Sequence, residues 1–276
     1  MRLPLIVAVL LVAGVHTACG QSGGDSADSP ADNATVALQV LALPERAKVA
    51  PQPIPKFAEY KDVKAKKATF FEYMNERVRL ANDEVWQERL FLLAALEKFE
   101  SSGLSEEETE QIKILGQYYK QPPPDQLTTE YFNELLVKVD IVPASLVLAQ
   151  AANESGWGTS RFAVEGRNFF GIWCYQPGCG LKPKHRNSGS KHEVRKFRSV
   201  LEGVRFYIHN INIGHAYDDL RDMRAQVREE EKRPTGLLLA GGLSRYSERG
   251  EEYVKEIRSM IKSNKLSRYV VERTAL

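Results

Sequence analysis

The sequence has little net charge and few cysteines, and each shortage narrows the class of protein that it can encode. Its 38 Lys and Arg residues nearly balance 36 Asp and Glu residues, which leaves a formal net charge of +2. So small an excess provides no strong field that would attract nucleic acid, and we expect no nucleic-acid partner. A hydrophobic content of 43% over 276 residues is enough for a sizeable core, as one large domain or one domain with an extension.

A long apolar run is also missing near the start of the chain. Leu3 to Val15 is apolar but too short for a comfortable membrane span. Arg2 precedes this stretch, and Ala18, Cys19 and Gly20 follow it as a small-residue processing site, which is typical of a signal peptide. Because a cysteine stands at the cleavage point, the leader resembles a lipoprotein signal in which Cys19 carries the lipid. Secretion after Gly20 is the alternative, and both predict an exported chain. If Cys19 is lipidated, we expect the protein to be an outer-membrane lipoprotein that faces the periplasm.

Three cysteines leave one unpaired in any disulfide scheme. Lipidation of Cys19 removes that one and leaves Cys174 and Cys179, which are expected to form a disulfide in an oxidising periplasm. A zinc site that also uses His185 and His192 is the alternative. Six residues separate the two histidines, which is outside the usual spacing of zinc ligands. We therefore predict a disulfide and no metal.

Most of the chain after residue 55 has the spacing of apolar residues that is typical of helices. The pattern predicts helices over 65–101, with an interruption near Asn82 and Asp83, over 105–119, and from Thr128 or Thr129 through Val137. After Ile172 the composition changes to Gly, Pro, Asn and Ser, with short strands expected around 172–173 and 194–197. A helix over 200–211 and a last helix that carries residues 253–261 follow. We predict a mostly helical α+β, lysozyme-like domain whose small β lobe flanks a cleft. The predicted division is a signal peptide (1–19), a flexible tether and extended segment (20–55), a helical extension packed on the domain (56–130), and the catalytic domain (131–276).

One carboxylic acid stands at the end of an almost wholly apolar helix. Residues 144–149 are small or aliphatic on every side, so this helix is expected to be buried. Gly156 and Gly158 end it directly after Glu154, with Trp157 between them. Burial and the negative end of the helix dipole both disfavour the ionised form, so the pKa of Glu154 is expected to rise. Such an acid beside an aromatic ring can protonate a glycosidic oxygen. A Glu that only caps or salt-bridges a helix end is the alternative.

The segment from Pro143 to Trp173 contains AQAANESGWGTSRFAVEGRNFFGIW. It resembles the glucosaminidase domain of bacterial peptidoglycan hydrolases, glycoside hydrolase family 73. Residues 168–172, Asn-Phe-Phe-Gly-Ile, match the second signature of that family, and the Trp-Cys-Tyr and Gly-Cys-Gly sequences after them resemble its Bax subgroup. The resemblance covers roughly residues 130–265, and it favours Glu154 as the acid catalyst.

The resemblance also implies further site residues. The family has a functional acidic residue shortly before a Phe-Arg motif that residues 197–198 match, which makes Glu193 the predicted second carboxylate, as base or nucleophile. An exposed Glu paired with Lys or Arg is the alternative for Glu193, and Glu165 is a weaker candidate. Residues 246–253 resemble the family's terminal motif, Tyr-Ala-Thr-Asp-Pro-x-Tyr. The first tyrosine of that motif, here Tyr246, lines the cleft in the family and can hydrogen-bond substrate, and a buried tyrosine of the core is the alternative.

Sugar rings stack on aromatic side chains, and Trp157, Phe170 and Trp173 are the candidates. A place in the core is the alternative for either phenylalanine of the pair 169–170. The segment 182–198 is rich in Lys and Arg. It is expected either to form a solvated basic face or to attract anionic cell-wall polymer weakly.

The predicted function is that of an endo-β-N-acetylglucosaminidase that cleaves the glycan strands of peptidoglycan without a cofactor. A substrate acetamido oxygen that attacks the anomeric carbon would make a second carboxylate less necessary. A lytic transglycosylase and a non-catalytic peptidoglycan-binding lipoprotein are the alternatives.

Overall fold

A computed structural model describes residues 41–184 and 191–269 of the chain. Within these two ranges, no helix is both long enough and apolar enough to cross a membrane. The predictions for the signal peptide and for lipidation of Cys19 lie outside the described residues, as does His185.

Helices make up most of the described chain, and a small antiparallel sheet follows the fifth of them, so the prediction of a mostly helical α+β fold is confirmed. The helices are α1 (Val63–Ser101), α2 (Glu106–Tyr118), α3 (Thr129–Lys138), α4 (Ala144–Ser155), α5 (Arg161–Gly166), α6 (Val200–Ile213), α7 (Asp218–Glu229), α8 (Gly236–Leu239) and α9 (Glu251–Ser263). Short 3-10 turns lie at Phe57–Glu59, His215–Tyr217, Ala240–Leu243 and Leu266–Arg268.

Local side-chain hydrogen bonds set the beginnings of several helices. Ser105 accepts the backbone N–H of Glu108, and the Glu108 carboxylate accepts the N–H of Ser105, which forms a capping box before α2. Thr128 and Ser199 cap α3 and α6 by a single bond each, in which the side chain accepts the backbone N–H of Tyr131 and of Glu202. These starts were predictable because the capping side chain and its partner are three residues apart.

The interruption predicted near Asn82 is wrong, because α1 is continuous over its 39 residues. The buried Asn82 amide donates to the carbonyl oxygen of Val142 at 2.8 Å, and its oxygen accepts the N–H of Val142 at 3.1 Å. An asparagine that suggests a helix break in the sequence instead joins α1 to the segment before α4. The polar side chain is satisfied by a residue 60 positions away in the sequence.

Two clusters of buried apolar residues meet along α1. The first contains residues of its N-terminal half together with α4, α6 and α9, and the second contains its C-terminal half with α2 and α3. Leu41 and Leu43, from the segment before α1, pack on the second cluster, and the N–H of Leu41 donates to Glu108 at 3.0 Å. Because α4 runs through the first cluster, its side chains from Ala144 to Ala152 are buried, as its composition predicts.

The three strands are β1 (Trp173–Cys174), β2 (Gly180–Leu181) and β3 (Glu193–Arg195), in the order β1-β3-β2. Both pairings are antiparallel, and Val194 lies opposite Trp173 on one side and Leu181 on the other. The strands expected around 172–173 and 194–197 are confirmed with boundaries shifted by one or two residues. Residues between β1 and β2 form a short loop closed by a disulfide between Cys174 and Cys179.

The disulfide predicted from the cysteine count is confirmed, and neither sulfur is a free thiolate. Loss of this crosslink should lower the free energy of unfolding by about 2 kcal/mol, because it closes only a short loop. A Cys174→Ser/Cys179→Ser double variant should show this in urea denaturation, and wild-type protein in reductant should behave like that variant. Two titratable thiols at these positions in natively exported protein would contradict the pairing.

Candidate active site

Glu154 lies in the last turn of α4, where the buried helix reaches the surface. Gly156 follows as a left-handed cap, with φ of 57°, and ends the helix directly after the acid. The hydroxyl of Ser155 donates to the carbonyl of Ala151 at 2.6 Å and accepts the N–H of Gly158 at 2.8 Å. The Glu-Ser pair is therefore a structural unit in which Ser155 fixes the turn that leaves Glu154 at the helix end.

The turn after Glu154 also requires glycine at position 158. Gly158 has a φ of +73°, and a Cβ added there would lie 2.4 Å from a ring carbon of Phe57. Phe57 in turn packs against Phe70 of α1, with ring centroids 5.4 Å apart. The absence of a side chain at Gly158 therefore lets the end of α4 pack closely against Phe57 and, through it, against α1.

Asn168 ties the loop beside Glu154 to the sheet. Its amide nitrogen donates to the carbonyls of Ile172 and Arg195, both at 2.9 Å. Its oxygen accepts the N–H groups of Phe170 at 3.2 Å and Ile172 at 3.1 Å. These four bonds fix the loop so that Gly171 lies next to the acid. A Cβ added at Gly171 would be 3.8 Å from Glu154 Oε2. The Asn-Phe-Phe-Gly signature is thus the segment that brings the β lobe next to Glu154.

Burial raises the pKa of the half-buried Glu154 carboxyl, as the sequence predicts. Hydrogen bonds from Tyr253 and Asn153 oppose this rise, and the negative charge of Glu256 adds to it. The hydroxyl of Tyr253, on α9, donates to Glu154 Oε1 at 2.9 Å. An acid held above its ordinary pKa by desolvation can stay protonated closer to neutral pH, which is what a proton donor needs.

Tyr253 is the site residue that the sequence analysis missed. It is the second tyrosine of the terminal motif, of which only the first, Tyr246, was assigned to the site. The two rings stack, with centroids 5.0 Å apart and planes 17° apart. Tyr246 donates its hydroxyl to the carbonyl of Phe170 at 3.2 Å. Tyr246 therefore links α9 to the loop beside Glu154, while Tyr253 makes the direct contact with the acid.

The three predicted sugar-stacking residues have different surroundings. Trp157 packs against Phe70 and Phe71 of α1, with centroids 5.6 and 5.3 Å away. Phe170, in the loop that Asn168 holds beside Glu154, is buried and stacks on Tyr207. Trp173 is 53% exposed, and His192 stacks on its ring at 3.9 Å. Of the three, Trp173 presents a large aromatic surface to solvent, two residues beyond Gly171.

Glu193 is a buried residue of the sheet, with 3% of its surface exposed. Its two carboxylate oxygens accept the N–H of Gly178 at 3.2 Å and the N–H of Gly180 at 2.8 Å. These bonds hold the disulfide loop against β3. The weaker candidate, Glu165, is exposed on α5, where Arg161 lies 3.6 Å away.

Two arginines of the described part of the basic segment have partners close by in the chain. Arg198 pairs with Glu202 on the first turn of α6, and the guanidinium of Arg195 lies over the ring of Phe206 at 4.5 Å. No cluster of three or more His, Cys, Asp or Glu side chains that could hold a metal ion occurs within 41–184 and 191–269.

Comparison with known proteins agrees with this geometry. The glucosaminidase family model, described as mannosyl-glycoprotein endo-beta-N-acetylglucosaminidase, matches residues 129–266. Protein bax of Escherichia coli strain K12 is 30% identical over 211 residues, which cover 76% of this chain and 74% of that protein. No solved structure matches the chain significantly. The matched region begins at α3 and includes the acid, the Asn168 loop, the sheet and both tyrosines of the terminal motif. The chain therefore belongs to the glucosaminidase family of glycoside hydrolases, glycoside hydrolase family 73.

Proposed function

We propose that this protein cleaves the glycan strands of peptidoglycan as an endo-β-N-acetylglucosaminidase. The observation that carries the proposal is the half-buried Glu154, whose pKa is raised by burial and whose Oε1 accepts the hydroxyl of Tyr253. A protein that only bound glycan would have no use for a desolvated carboxylic acid, whereas an acid catalyst requires one.

In the proposed reaction, Glu154 gives its proton to the glycosidic oxygen. The bond between that oxygen and the anomeric carbon breaks, and its electron pair stays on the departing oxygen. The anomeric carbon receives an electron pair from the acetamido oxygen of the same sugar, or from a water molecule that a base activates. In the acetamido route, water then opens the cyclic intermediate and supplies the hydroxyl group at the anomeric carbon, and its other proton restores Glu154. In the direct route, the attacking water itself becomes the hydroxyl group, its other proton goes to the base, and exchange with solvent restores both carboxyl groups.

The surroundings of the two glutamates favour attack by the acetamido oxygen. Both oxygens of Glu193 accept backbone N–H groups of the disulfide loop, and only 3% of the surface of this residue is exposed, so water has little access to its carboxylate. A general base must lie within hydrogen-bond reach of the water molecule that it deprotonates. The predicted catalytic role of Glu193 stays a prediction, and its comparison with Glu154 under substitution is the test.

The remaining site residues take supporting roles in this proposal. Tyr253 keeps Glu154 oriented, and Tyr246 joins α9 to the loop that carries Gly171. Trp173 offers a stacking surface for a sugar ring, and its indole is held in place by the ring of His192. Trp157 and Phe170 fix the segments on either side of the acid by packing against α1 and α6, respectively.

Mass spectrometry of digested peptidoglycan tests the function. An endo-β-N-acetylglucosaminidase should leave reducing N-acetylglucosamine ends in isolated cell-wall sacculi. Anhydro-muramyl ends would instead identify a lytic transglycosylase, and the absence of products at full binding would identify a non-catalytic binding protein.

Export and anchoring form a separate part of the proposal. We expect the mature chain to begin at Cys19, acylated, and to fractionate with the outer membrane. A Cys19→Ser variant should be released as a soluble and still active protein. Wild-type protein that is unlipidated and begins after Gly20 would contradict the anchor without affecting the proposed activity.

A further inference from the structure

Tyr253 is itself held by two residues that the proposed reaction does not yet use. Gln150 lies on α4, one turn before Glu154, and is 0% exposed. Its Nε2 donates to the hydroxyl oxygen of Tyr253 at 3.0 Å, and its Oε1 accepts the hydroxyl of Tyr207, on α6. Tyr207 is also buried, and its ring stacks on Phe170 at 4.0 Å. A continuous chain of hydrogen bonds therefore runs from Tyr207 through Gln150 and Tyr253 to Glu154.

The donors and acceptors give this chain a direction. An amide nitrogen can only donate, so the Tyr253 oxygen accepts from Gln150. A phenol has one proton, and that of Tyr253 points to Glu154 Oε1. Oε1 can accept this bond whether Glu154 is protonated or ionised. The acidic proton is thus left to Oε2, the oxygen that faces Gly171.

We propose that Gln150 and Tyr207 are positioning residues that keep Tyr253 a constant donor to Glu154 Oε1, so that Oε2 carries the catalytic proton. The inference rests on the proposed function, since it concerns the acid of that reaction. A donor that is already aligned before and after proton transfer requires no reorganisation while the carboxylate forms. Loss of either residue should therefore weaken the stabilisation of ionised Glu154.

Other charged and titratable groups surround Glu154 and would stay unchanged in the test. They are Tyr217 from the turn before α7, Tyr246 and Arg249 from the segment before α9, and Glu256 from α9. The side of Glu154 toward the β lobe meets Gly171, which has no side chain to titrate.

The variants Gln150→Met and Tyr207→Phe test the proposal in the purified full chain, with a soluble peptidoglycan fragment as substrate. Each should lower kcat by roughly 3- to 10-fold, the effect of one hydrogen bond, with KM unchanged. The alkaline limb of the kcat profile should move to higher pH, because ionised Glu154 loses part of its hydrogen-bond support. Tyr207→Phe removes one oxygen and keeps the stack on Phe170, so it remains informative if Gln150→Met does not fold.

Tyr119→Phe is the matched control. Tyr119 is a buried tyrosine of the second apolar cluster whose hydroxyl also donates to a glutamate, Glu88. This variant should keep the wild-type pH profile. In a Tyr253→Phe background, Gln150→Met should produce no further shift, because the two residues act in one chain.

An alkaline limb that stays at its wild-type position in Tyr207→Phe, or that moves equally in Tyr119→Phe, would overturn the inference. The wild type and Glu154→Gln, measured in the same assay, separate this result from a failure of the proposed function. If Glu154→Gln is inactive while Tyr207→Phe behaves as wild type, the positioning role is wrong and the acid assignment stands. If Glu154→Gln is fully active, the assignment of Glu154 as the acid is wrong, and the positioning role is rejected with it. If the wild type itself releases no reducing N-acetylglucosamine ends, the proposed function is wrong.

Discussion

Replacement of Glu154 by glutamine should reduce hydrolysis of peptidoglycan by roughly 10²–10⁴, the range typical of general acid–base catalysis. The amide keeps the shape of the acid and can still accept the hydroxyl of Tyr253 at its oxygen. It cannot give up an acidic proton, so the departing sugar oxygen would leave without protonation. Release of reducing ends, measured against time at fixed enzyme concentration, gives the rate. Binding to isolated sacculi should persist, since the neutral amide resembles the protonated acid.

The wild-type rate should also depend on pH in a direction set by Glu154. Because burial raises the pKa of this carboxyl, the proton donor is lost only at a pH above the ordinary range of glutamate. Activity should therefore persist at a pH where an ordinary glutamate is already ionised, and fall as the pH rises through the pKa of Glu154. Near wild-type digestion by Glu154→Gln would end the assignment of this residue as the acid.

Glu193→Gln is the natural comparison, since it makes the same chemical change in a second glutamate. If the acetamido oxygen is the nucleophile, the expected loss of activity is smaller than for Glu154→Gln. The amide keeps only one acceptor oxygen, so the main effect should be a looser disulfide loop. An equal loss in a variant of unchanged stability would instead identify Glu193 as the second catalytic carboxylate.

Asp140→Ala should lower the free energy of unfolding by about 3–5 kcal/mol, the usual effect of removing one partner from a buried ion pair. Asp140 is 1% exposed and lies between α3 and α4. Its carboxylate oxygens accept two bonds from Arg228, each 3.0 Å long, and lie 3.8 Å from the guanidiniums of Arg89 and Arg224. Without the carboxylate, three arginine side chains from α1 and α7 would be left close together. Urea denaturation followed by circular dichroism measures the loss.

The same group predicts an effect of acid on stability. Burial raises the pKa of Asp140, but the three guanidiniums together outweigh it, so the net shift is downward. An acid whose pKa is lower in the folded state binds fewer protons there than in the unfolded chain. The contribution of Asp140 to the free energy of unfolding is therefore fully present above the pKa of aspartate in the unfolded chain. It is lost as the pH falls through the lower pKa that Asp140 has in the folded protein. The stability of Asp140→Ala should therefore fall less than that of the wild type when the pH is lowered through this range.

Asp219→Ala is the matched control for Asp140→Ala. Asp219 also pairs with an arginine, Arg245, at 3.1 Å, but both side chains are more than half exposed. Exposed pairs contribute about 0–1 kcal/mol, so this variant should unfold almost as the wild type does. A similarly small loss in Asp140→Ala would contradict the prediction and show that the arginines reach water or other acceptors without the carboxylate.

Much of the framework around the site was predictable from the sequence because its signals are local. Apolar residues on every side of α4 indicate burial, and glycines 156 and 158 mark its end directly after the acid. Ser105 and Thr128 begin their helices through hydrogen bonds that span three residues. The disulfide followed from a count of cysteines. Each of these inferences depends on neighbours in the chain or on chemistry that does not require the fold.

Only the tertiary structure decided how distant residues complete the site. Tyr253 reaches Glu154 across 99 positions, and Asn82, which the sequence suggests as a helix break, is satisfied by Val142 across 60. Asp140 gathers arginines from two other helices, an arrangement that no local spacing in the sequence indicates. Periodicity and caps act over one or two helical turns, so they can predict which segments are helices and which are buried. The partner of a buried polar side chain depends on which helices pack together, and that is fixed only when the whole chain folds.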